Sequence, residues 1–591
     1  MREFFSLQFG KIDSLPYKKY STDAWYTLRV KYILGEEIPD KYKKELERFH
    51  PLVQKLLYYR GIKNKDDADI FVNPKYEEGL HDPFLLPNME QAVSRILETI
   101  EKKEKIAIYS DYDADGIPGG VILHDFFKKI EFENFLNYIP HRHEEGFGLH
   151  KSAIDKLAKD SVELIITVDC GIGGVKQAKH ASKLGIDLII TDHHEANGSV
   201  PTPAIIVNPK IDGAKYPNQN ICGAGVVFKL VQGLIEKGNF SLVEGWEKWL
   251  LDMVGLATLS DMVSLTGENR ILALYGLKVL QKSRRSGLVR LLKRNRVLQR
   301  MLTQDDVSFI ITPRINAASR MDCPEYAFQM LVFDDHIEAD NVVAHLEKLN
   351  RERKTEVAKI SKTVNARLKK MEIKHVIALG NPHWRPSLLG LVANSLSDKY
   401  HRPVFLWGRD GQGLLKGSCR SDDKIDLIEL MSASDSETFS EFGGHKFSGG
   451  FAVSQNQVHF LEQRLNDAFE HLGNKREKDP TFVDSEIDIS EIDYELYRQI
   501  DQLSPFGIGN PKPQFLLRGV SIKEIKYFGT GGLHLELILT NGEKNISAIS
   551  FFCDREEHGF GQGDKIDLIV FLEKSSFRGR SELRLRIAEF V

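Results

Sequence analysis

From Lys105 onward the chain alternates short apolar runs with stretches of helical periodicity. The apolar runs are Ile106–Tyr109, Phe135–Ile139, Leu164–Val168, Leu188–Thr191 and Ala204–Val207, with helical segments at Gly120–Lys129, Lys151–Ala158 and Gly174–Leu184. Strands alternating with helices predict βαβ units and a parallel sheet, here a domain over residues 91–270. Residues 1–90 mix charged helix-forming stretches with turn signals. Pro51–Arg60 reads as a short amphipathic helix; Pro83, Pro87 and Asn88 break the chain before a helix at Gln91–Lys103. This is read as an N-terminal accessory region. Residues 271–371 form a helical connector that closes in one charged helix over 335–371, free of Gly and Pro. A long helix polar on most faces commonly bridges two domains. A second α/β region spans 372–470, opening with the strand His375–Leu379 and ending in the glycine-rich Gly443–Gly450. In 471–591, Leu533–Leu539 and Ile546–Phe552 flank Asn541-Gly542, a strong hairpin signal, so a small β-barrel is expected.

Composition narrows the class. At 591 residues the chain exceeds one hydrophobic core, and 42% hydrophobic with 28% charged residues is ordinary for a globular protein. The net charge of −4 means that any nucleic-acid surface must be a local concentration of basic groups. One candidate is Lys278–Arg300, with nine Lys or Arg and no acid. Five cysteines without a Cys-x-x-Cys pair argue against a disulfide framework and a thiolate zinc site. No apolar run in Met1–Gly10 suits a signal peptide and none elsewhere reaches membrane-spanning length, so a cytoplasmic location is expected.

Three predicted strands run into clusters of metal-ligand residue types. Ile106–Tyr109 leads to Asp111-Tyr112-Asp113-Ala114-Asp115-Gly116. Leu164–Val168 leads to Asp169-Cys170-Gly171, and Leu188–Thr191 to Asp192-His193-His194-Glu195. Ligands of open α/β sheets bind beyond the carboxyl ends of the strands, where these clusters can converge. Packed carboxylates repel and protonate unless cations neutralise them. Two divalent ions roughly 3.5–4 Å apart would do so, clamp both oxygens of a phosphoryl displacement and acidify a water. Oxygen with imidazole ligation suits Mn²⁺, or Mg²⁺ where carboxylates dominate. Each cluster alone reads more simply as a helix cap or turn. A calcium loop starting at Asp111 would need Glu at its twelfth position, where Ile122 stands.

The three clusters resemble successive signatures of the DHH phosphoesterase superfamily, named after the Asp192-His193-His194 type of motif. Gly255–Val263 resembles its fourth motif. The resemblance implies metal ligation by Asp111, Asp113, Asp115, Asp169, His193 and Asp261, leaving open which acids of the first cluster bind directly. It implies catalytic roles for Asp169 and for His194, beside the scissile phosphate.

Further segments resemble the RecJ family within that superfamily, and they run through nearly the whole chain. These are Tyr59–Ile62, His81–Pro87, Pro140–Leu149, Pro313–Arg320, Gly417–Ser421, Gly443–His445 and Pro505–Pro511. The likeness implies a parallel-sheet DHH domain and a DHH-associated α/β domain joined by the long helix, then an OB-like barrel. It implies 5′-to-3′ exonuclease action on single-stranded DNA, in a cleft too narrow for a duplex, in recombination and repair. Substrate contacts would come from Arg314, Asn316, Arg320, Ser387, Arg420, Gly444 and His445. Planar guanidinium forks suit phosphate oxygens, and glycines let backbone amides approach them. Tyr527, Phe528 and Phe551 are either base platforms of the barrel or core. A single-strand-binding protein and a helicase are the implied partners. The chain departs from the family pattern at Trp384-Arg385-Pro386-Ser387, Ser319, Ser448-Gly449 and Cys170. Two rivals are a superfamily phosphodiesterase for short oligoribonucleotides or small phosphoesters, and a catalytically silent DNA-binding relative.

Overall fold

A computed structural model describes residues 31–591 apart from 197, 423–424, 474–479, 530–531, 533, 552, 554–558 and 576–581. Met1–Gly10 and the predicted strand ends Leu533 and Phe552 lie outside the described residues. Contacts divide the described residues into two compact units, one within 81–263 and 272–476, the other within 31–80, 264–271 and 477–591.

The first unit begins with helix α1 (Met89–Lys102) and the alternation read from the sequence. It runs β1 (Ile106–Ser110), α2 (Gly116–Lys129), β2 (Phe135–Tyr138), α3 (Lys151–Lys159), β3 (Leu164–Val168), α4 (Val175–Lys183), β4 (Asp187–Thr191) and β5 (Ile205–Val207). The five strands pair in parallel in the order β2-β1-β3-β4-β5. All five residues of β1 and of β3 are buried, as expected when both faces of a parallel sheet are covered. The strand order reverses between β1 and β3. Such a switch point opens a crevice at the carboxyl ends, which favours a ligand site there.

Helix α5 (Gly223–Lys237) packs on α1 and α2, and α6 (Leu251–Ser260), almost wholly buried, packs on α2 and α5. After α7 (Thr312–Met321) comes α8 (His336–Leu368), whose 33 residues span roughly 50 Å at 1.5 Å per residue. Asp335 caps its N-terminus by accepting from the amides of Ile337 and Glu338. This helix packs on α7 near its start and on α9 (Pro386–Tyr400) further along. The second sheet contains β6 (Ile377–Gly380), β7 (Val404–Arg409), β8 (Leu415–Arg420), β9 (Glu441–His445) and β10 (Ser448–Val453), in the order β9-β10-β8-β7-β6. Only the β6–β7 pair is parallel. The glycine-rich segment is therefore an antiparallel ribbon, with Gly443 opposite Gly450 and Gly444 opposite Gly449.

The other unit contains a barrel of β11 (Phe515–Phe528), β12 (His534–Thr540), β13 (Asn545–Phe551), β14 (Lys565–Ser575) and β15 (Glu582–Phe590). It runs β11-β12-β13-β15-β14 and closes by pairing β14 with β11, consistent with an OB fold. Along β12 buried and half-buried residues alternate, the period-2 signature of a strand with one face in a core. Leu46, Val53, Leu56 and Leu57 share that core with Phe515, Leu517, Leu537 and Leu568. The amphipathic helix Pro51–Tyr59 therefore completes the barrel's core. Tyr32–Leu34 pairs in parallel with Thr481–Val483. Residues 264–270, expected within the first α/β domain, and Ile271 also belong to this unit. The Leu265 amide donates to Ile508 O (2.7 Å), and Arg270 donates to the carbonyls of Phe71 (2.8 Å) and Ser504 (2.9 Å). Tyr527 packs against the barrel core, whereas Phe528 and Phe551 are exposed. No described helix is long and apolar enough to cross a membrane.

Candidate metal centre

The carboxyl ends of β1, β3 and β4 deliver the three clusters to the switch point. After β1, Asp111 anchors its loop by donating its amide to Val168 O (3.0 Å). Asp113 Oδ1 then accepts from the amides of Asp115 (2.8 Å) and Gly116 (3.2 Å), a side-chain turn that curls the loop into α2. Both oxygens of Asp115 are claimed by the first amides of α5, from Gly223 (2.6 Å) and Ala224 (2.7 Å). A helix N-terminus suits a carboxylate because its free N–H groups and dipole both point at the charge. Asp169, after β3, has φ 59, a left-handed backbone uncommon outside glycine. Glycine is required at 223, since a Cβ there would lie 2.6 Å from that of Asp169.

After β4, Asp192 organises the paired histidines. Its Oδ1 accepts from the His193 amide (2.7 Å), the His194 amide (3.1 Å) and His194 Nδ1 (2.8 Å), and its Oδ2 accepts from the Ile172 amide (2.9 Å). Burial alone would raise the Asp192 carboxyl, but the His194 hydrogen bond and charge outweigh it and hold it below the usual range. Burial alone would likewise lower His194; the bond to Asp192 prevails and raises it. His194 is thus oriented through Nδ1, the outer-sphere arrangement typical of carboxylate–histidine pairs.

Three sets of potential ligand atoms converge: Asp111 with Asp113 and Asp169; Asp115 with His193 and Asp261; and Asp169 with His193 and His194. Within each set the atoms lie within 4.8 Å of one another. His193 Nε2 is 3.1 Å from Asp169 Oδ1, 3.6 Å from Asp115 Oδ2 and 3.7 Å from Asp261 Oδ2. Asp111, Asp115 and Asp169 are only 4%, 1% and 3% exposed. Asp111 Oδ1, Asp169 Oδ1 and His193 Nε2 are buried without a hydrogen-bond partner. Buried polar atoms are normally satisfied, so three orphan lone pairs aimed into one cluster fit a bound cation.

The electrostatics agree. Burial and then the charge of Asp113 push the Asp115 carboxyl up to about 7, and burial with neighbouring carboxylates drives Asp111, Asp169 and Asp261 well above their ordinary range. Burial, then His194, pushes His193 down to about 3, so it presents the neutral imidazole that a metal requires.

Beside this centre, Tyr112, Arg142 and Phe147 line a cleft of about 690 Å³ together with Arg385, Ser387 and Gly443 of the second α/β domain. His445, on β9, stacks on His194 with ring centroids 5.8 Å apart. Gly444, at φ 140, admits no side chain, since a Cβ would meet Ser448 O at 2.4 Å. Arg320 donates to Ser387 O (2.7 Å), and Ser387 Oγ returns a bond to Arg320 O (3.0 Å). Burial, then Arg142, Arg420 and Arg353, pulls the Arg320 guanidinium down, the mark of concentrated positive charge. Arg420 spends one amino group on Cys419 O (2.7 Å).

Two residues expected at the substrate have protein partners. Arg314 is buried, bonded to Glu347 (3.1 Å) and Asn295 (2.6 Å) and to the carbonyls of Phe309 and Ile310. Its fork is occupied in tying α7 to α8. Asn316 faces the metal loop, accepting from the Ala114 amide (3.0 Å). Within the basic stretch, Arg285 is paired with Asp125 and Asp252, and Arg290 and Arg294 with Asp340. The sequence reading did not foresee the orienting role of Asp192 or the place of Phe147, whose ring meets that of His194 edge-on at 5.7 Å. Asp192 was legible as the acid just before two histidines, and Phe147 lies within the family-like segment Pro140–Leu149, though nothing in the sequence places its ring against His194.

A parallel sheet with acids and paired histidines at its switch point defines a DHH-type phosphoesterase, and residues 105–258 match the DHH family N-terminal domain. Residues 372–472 match the DHHA1 domain and 483–589 the RecJ OB domain. The chain is 32% identical to the single-stranded-DNA-specific exonuclease RecJ of Bacillus subtilis, over 93% of this chain and 69% of that one. It is 29% identical to the Haemophilus influenzae protein of the same name, over 91% and 96%. The crystal structure of RecJ from Thermus thermophilus in complex with Mn²⁺ superposes with a TM-score of 0.77 at 25% identity, covering 94% of this chain and 79% of that one. The chain belongs to the RecJ family.

Proposed function

We propose that the chain is a divalent-metal-dependent exonuclease that degrades single-stranded DNA from its 5′ end to mononucleotides. The observation that carries this reading is the linked ligand sets, joined through Asp169 and His193, opening onto an arginine-rich cleft. Asp111, Asp113 and Asp169 would hold one cation, and Asp115, His193 and Asp261 a second, with Asp169 close to both. Bound Mn²⁺ or Mg²⁺ supplies the Lewis acidity that activates water and stabilises the leaving 3′ oxygen.

The remaining work falls to the chain's own groups. His194, held by Asp192, presents its other ring nitrogen to the scissile phosphate, with His445 stacked behind it. The guanidinium groups of Arg142, Arg320 and Arg420 favour a multiply charged anion, which supports recognition of a terminal 5′ phosphate. A cleft of about 690 Å³ lies in the size range of small-ligand sites, and this supports entry of a terminal nucleotide in preference to a duplex. Such an enzyme needs its strand unpaired by other proteins, and a helicase and a single-strand-binding protein are the partners this chemistry calls for.

The test uses Mn²⁺ and an oligonucleotide labelled at either end, beside an Asp169→Ala variant. Mononucleotides released from the 5′ end by the wild type alone are expected. Cleavage of dinucleotides without attack on long DNA would move the chain to the small-substrate branch of the superfamily.

A further inference from the structure

Helix α7 touches the ligand shell at two places. At its start, Thr312 Oγ1 lies 2.5 Å from the hydroxyl of Ser260, the residue before Asp261. One turn on, Asn316 Oδ1 accepts the amide of Ala114 at 3.0 Å, in the middle of the Asp111–Gly116 loop. The amides on either side of that bond are fixed differently. Those of Asp115 and Gly116 point to Asp113 Oδ1, and that of Asp111 to Val168 O. Without Asn316 the loop would be held at its ends and by one side chain of its own. Asp113 and Asp115, on either side of Ala114, belong to different ligand sets, so a tilt of this peptide would move both.

We infer that Asn316 is a positioning residue of the metal centre, acting through the Ala114 amide and not through the DNA. The inference rests on the metal-dependent reading of this cluster. It assigns to Asn316 a need for a hydrogen-bond acceptor at Oδ1, whereas contact with a phosphate would need the Nδ2 donor. The two roles therefore predict opposite behaviour for an aspartate. Asn316→Asp keeps an acceptor oxygen at the same reach but would repel a phosphate, and Asn316→Ala keeps neither group.

The experiment titrates Mn²⁺ calorimetrically into the full chain without DNA. It also measures thermal unfolding of the metal-free proteins and KM for a single-stranded oligonucleotide. For Asn316→Ala a Mn²⁺ affinity about 10- to 100-fold weaker is expected, the usual cost of losing an outer-sphere partner, with the metal-free melting temperature little changed. For Asn316→Asp, Mn²⁺ affinity within fivefold of wild type and an unchanged KM are expected. The inference is overturned if the alanine variant folds and binds Mn²⁺ like wild type. It is also overturned if the aspartate variant loses fivefold or more in Mn²⁺ affinity or shows a raised KM. Should the alanine variant fail to fold, the aspartate variant decides alone by the same limits. Failure of the wild type to bind Mn²⁺ would instead refute the metal-dependent reading itself.

Discussion

The two walls of the cleft are built on opposite terms. On the sheet side, acids are packed out of water at the strand ends; Asp115 is held by helix amides, while Asp111 Oδ1 and Asp169 Oδ1 have no hydrogen-bond partner. On the opposite side, every residue of β9 from Glu441 to His445 is exposed, on a ribbon whose glycines contribute no side chains. Burying carboxylates together costs stability unless cations or protons neutralise them, so the first wall carries a repulsion that a bound cation or protonation relieves. The second wall buries no charge, and apart from Gly444, where a Cβ would meet Ser448 O at 2.4 Å, its exposed side chains bear little on the fold. The two walls thus differ in energetic character.

That contrast is tested most severely at Asp169, which joins two ligand sets. Asp169→Asn should reduce cleavage at least about 100-fold, since metal-derived stabilisation is worth several kcal/mol and each factor of ten about 1.4. The same change removes one of several repelling buried acids, so the metal-free protein should melt higher. A variant that is inactive and also less stable without metal would refute the idea of a strained wall. Next in size is Asp192→Asn, which keeps the shape but weakens the hold on His194. A loss of between about 10- and 100-fold in kcat is expected, with DNA binding unchanged. A defect in binding alone would place Asp192 among the merely structural residues.

Much of the first wall was legible because its signals are local. Each ligand cluster follows an apolar run by a residue or two, and the βαβ rhythm brings the carboxyl ends of such runs to one edge. The parts that were not legible depend on direction and distance. The Pro313–Arg320 motif shows its residue types, but only the packing of α7 reveals that Arg314 turns to Glu347 and Asn316 to Ala114. The Pro51–Tyr59 helix reads correctly as amphipathic, yet its apolar face meets Phe515 and Leu537, more than 450 residues away in the chain. No pattern within a short window predicts that partner. Arg270 likewise sits in a stretch that continues the α/β domain in sequence, while its guanidinium caps carbonyls at Phe71 and Ser504.

On the exposed wall the expected effect is smaller. His445→Ala should lower kcat/KM about tenfold, the worth of one hydrogen bond to a charged group at roughly 1.5 kcal/mol. Its melting temperature should match wild type, because His445 stands on the exposed ribbon and its ring stacks on that of His194 without entering a core. Loss of Mn²⁺ affinity in this variant would show that the two walls are not separate.

The finest distinction is in protons. Asp111, Asp115, Asp169 and Asp261 all titrate above their unfolded range, Asp115 near 7. Between the unfolded values and these raised ones, the metal-free folded chain holds protons that the unfolded chain has lost. These acids therefore withdraw stability as pH rises across that window, opposed below the unfolded histidine range by His193, whose depressed value makes the unfolded chain the greater proton binder there. Metal ligation requires those protons to leave, so Mn²⁺ affinity should rise with pH over the same range. Calorimetric titration at pH 7 in two buffers of different ionisation enthalpy should reveal net proton release on Mn²⁺ binding. Melting curves at pH 7 and 8, above the unfolded histidine range, should diverge only for the metal-free protein, which melts lower at the higher pH. Proton uptake on Mn²⁺ binding, or a metal-free protein that gains stability with pH, would mean that the acids are already ionised and that the sheet-side wall stores no strain for the metal to relieve.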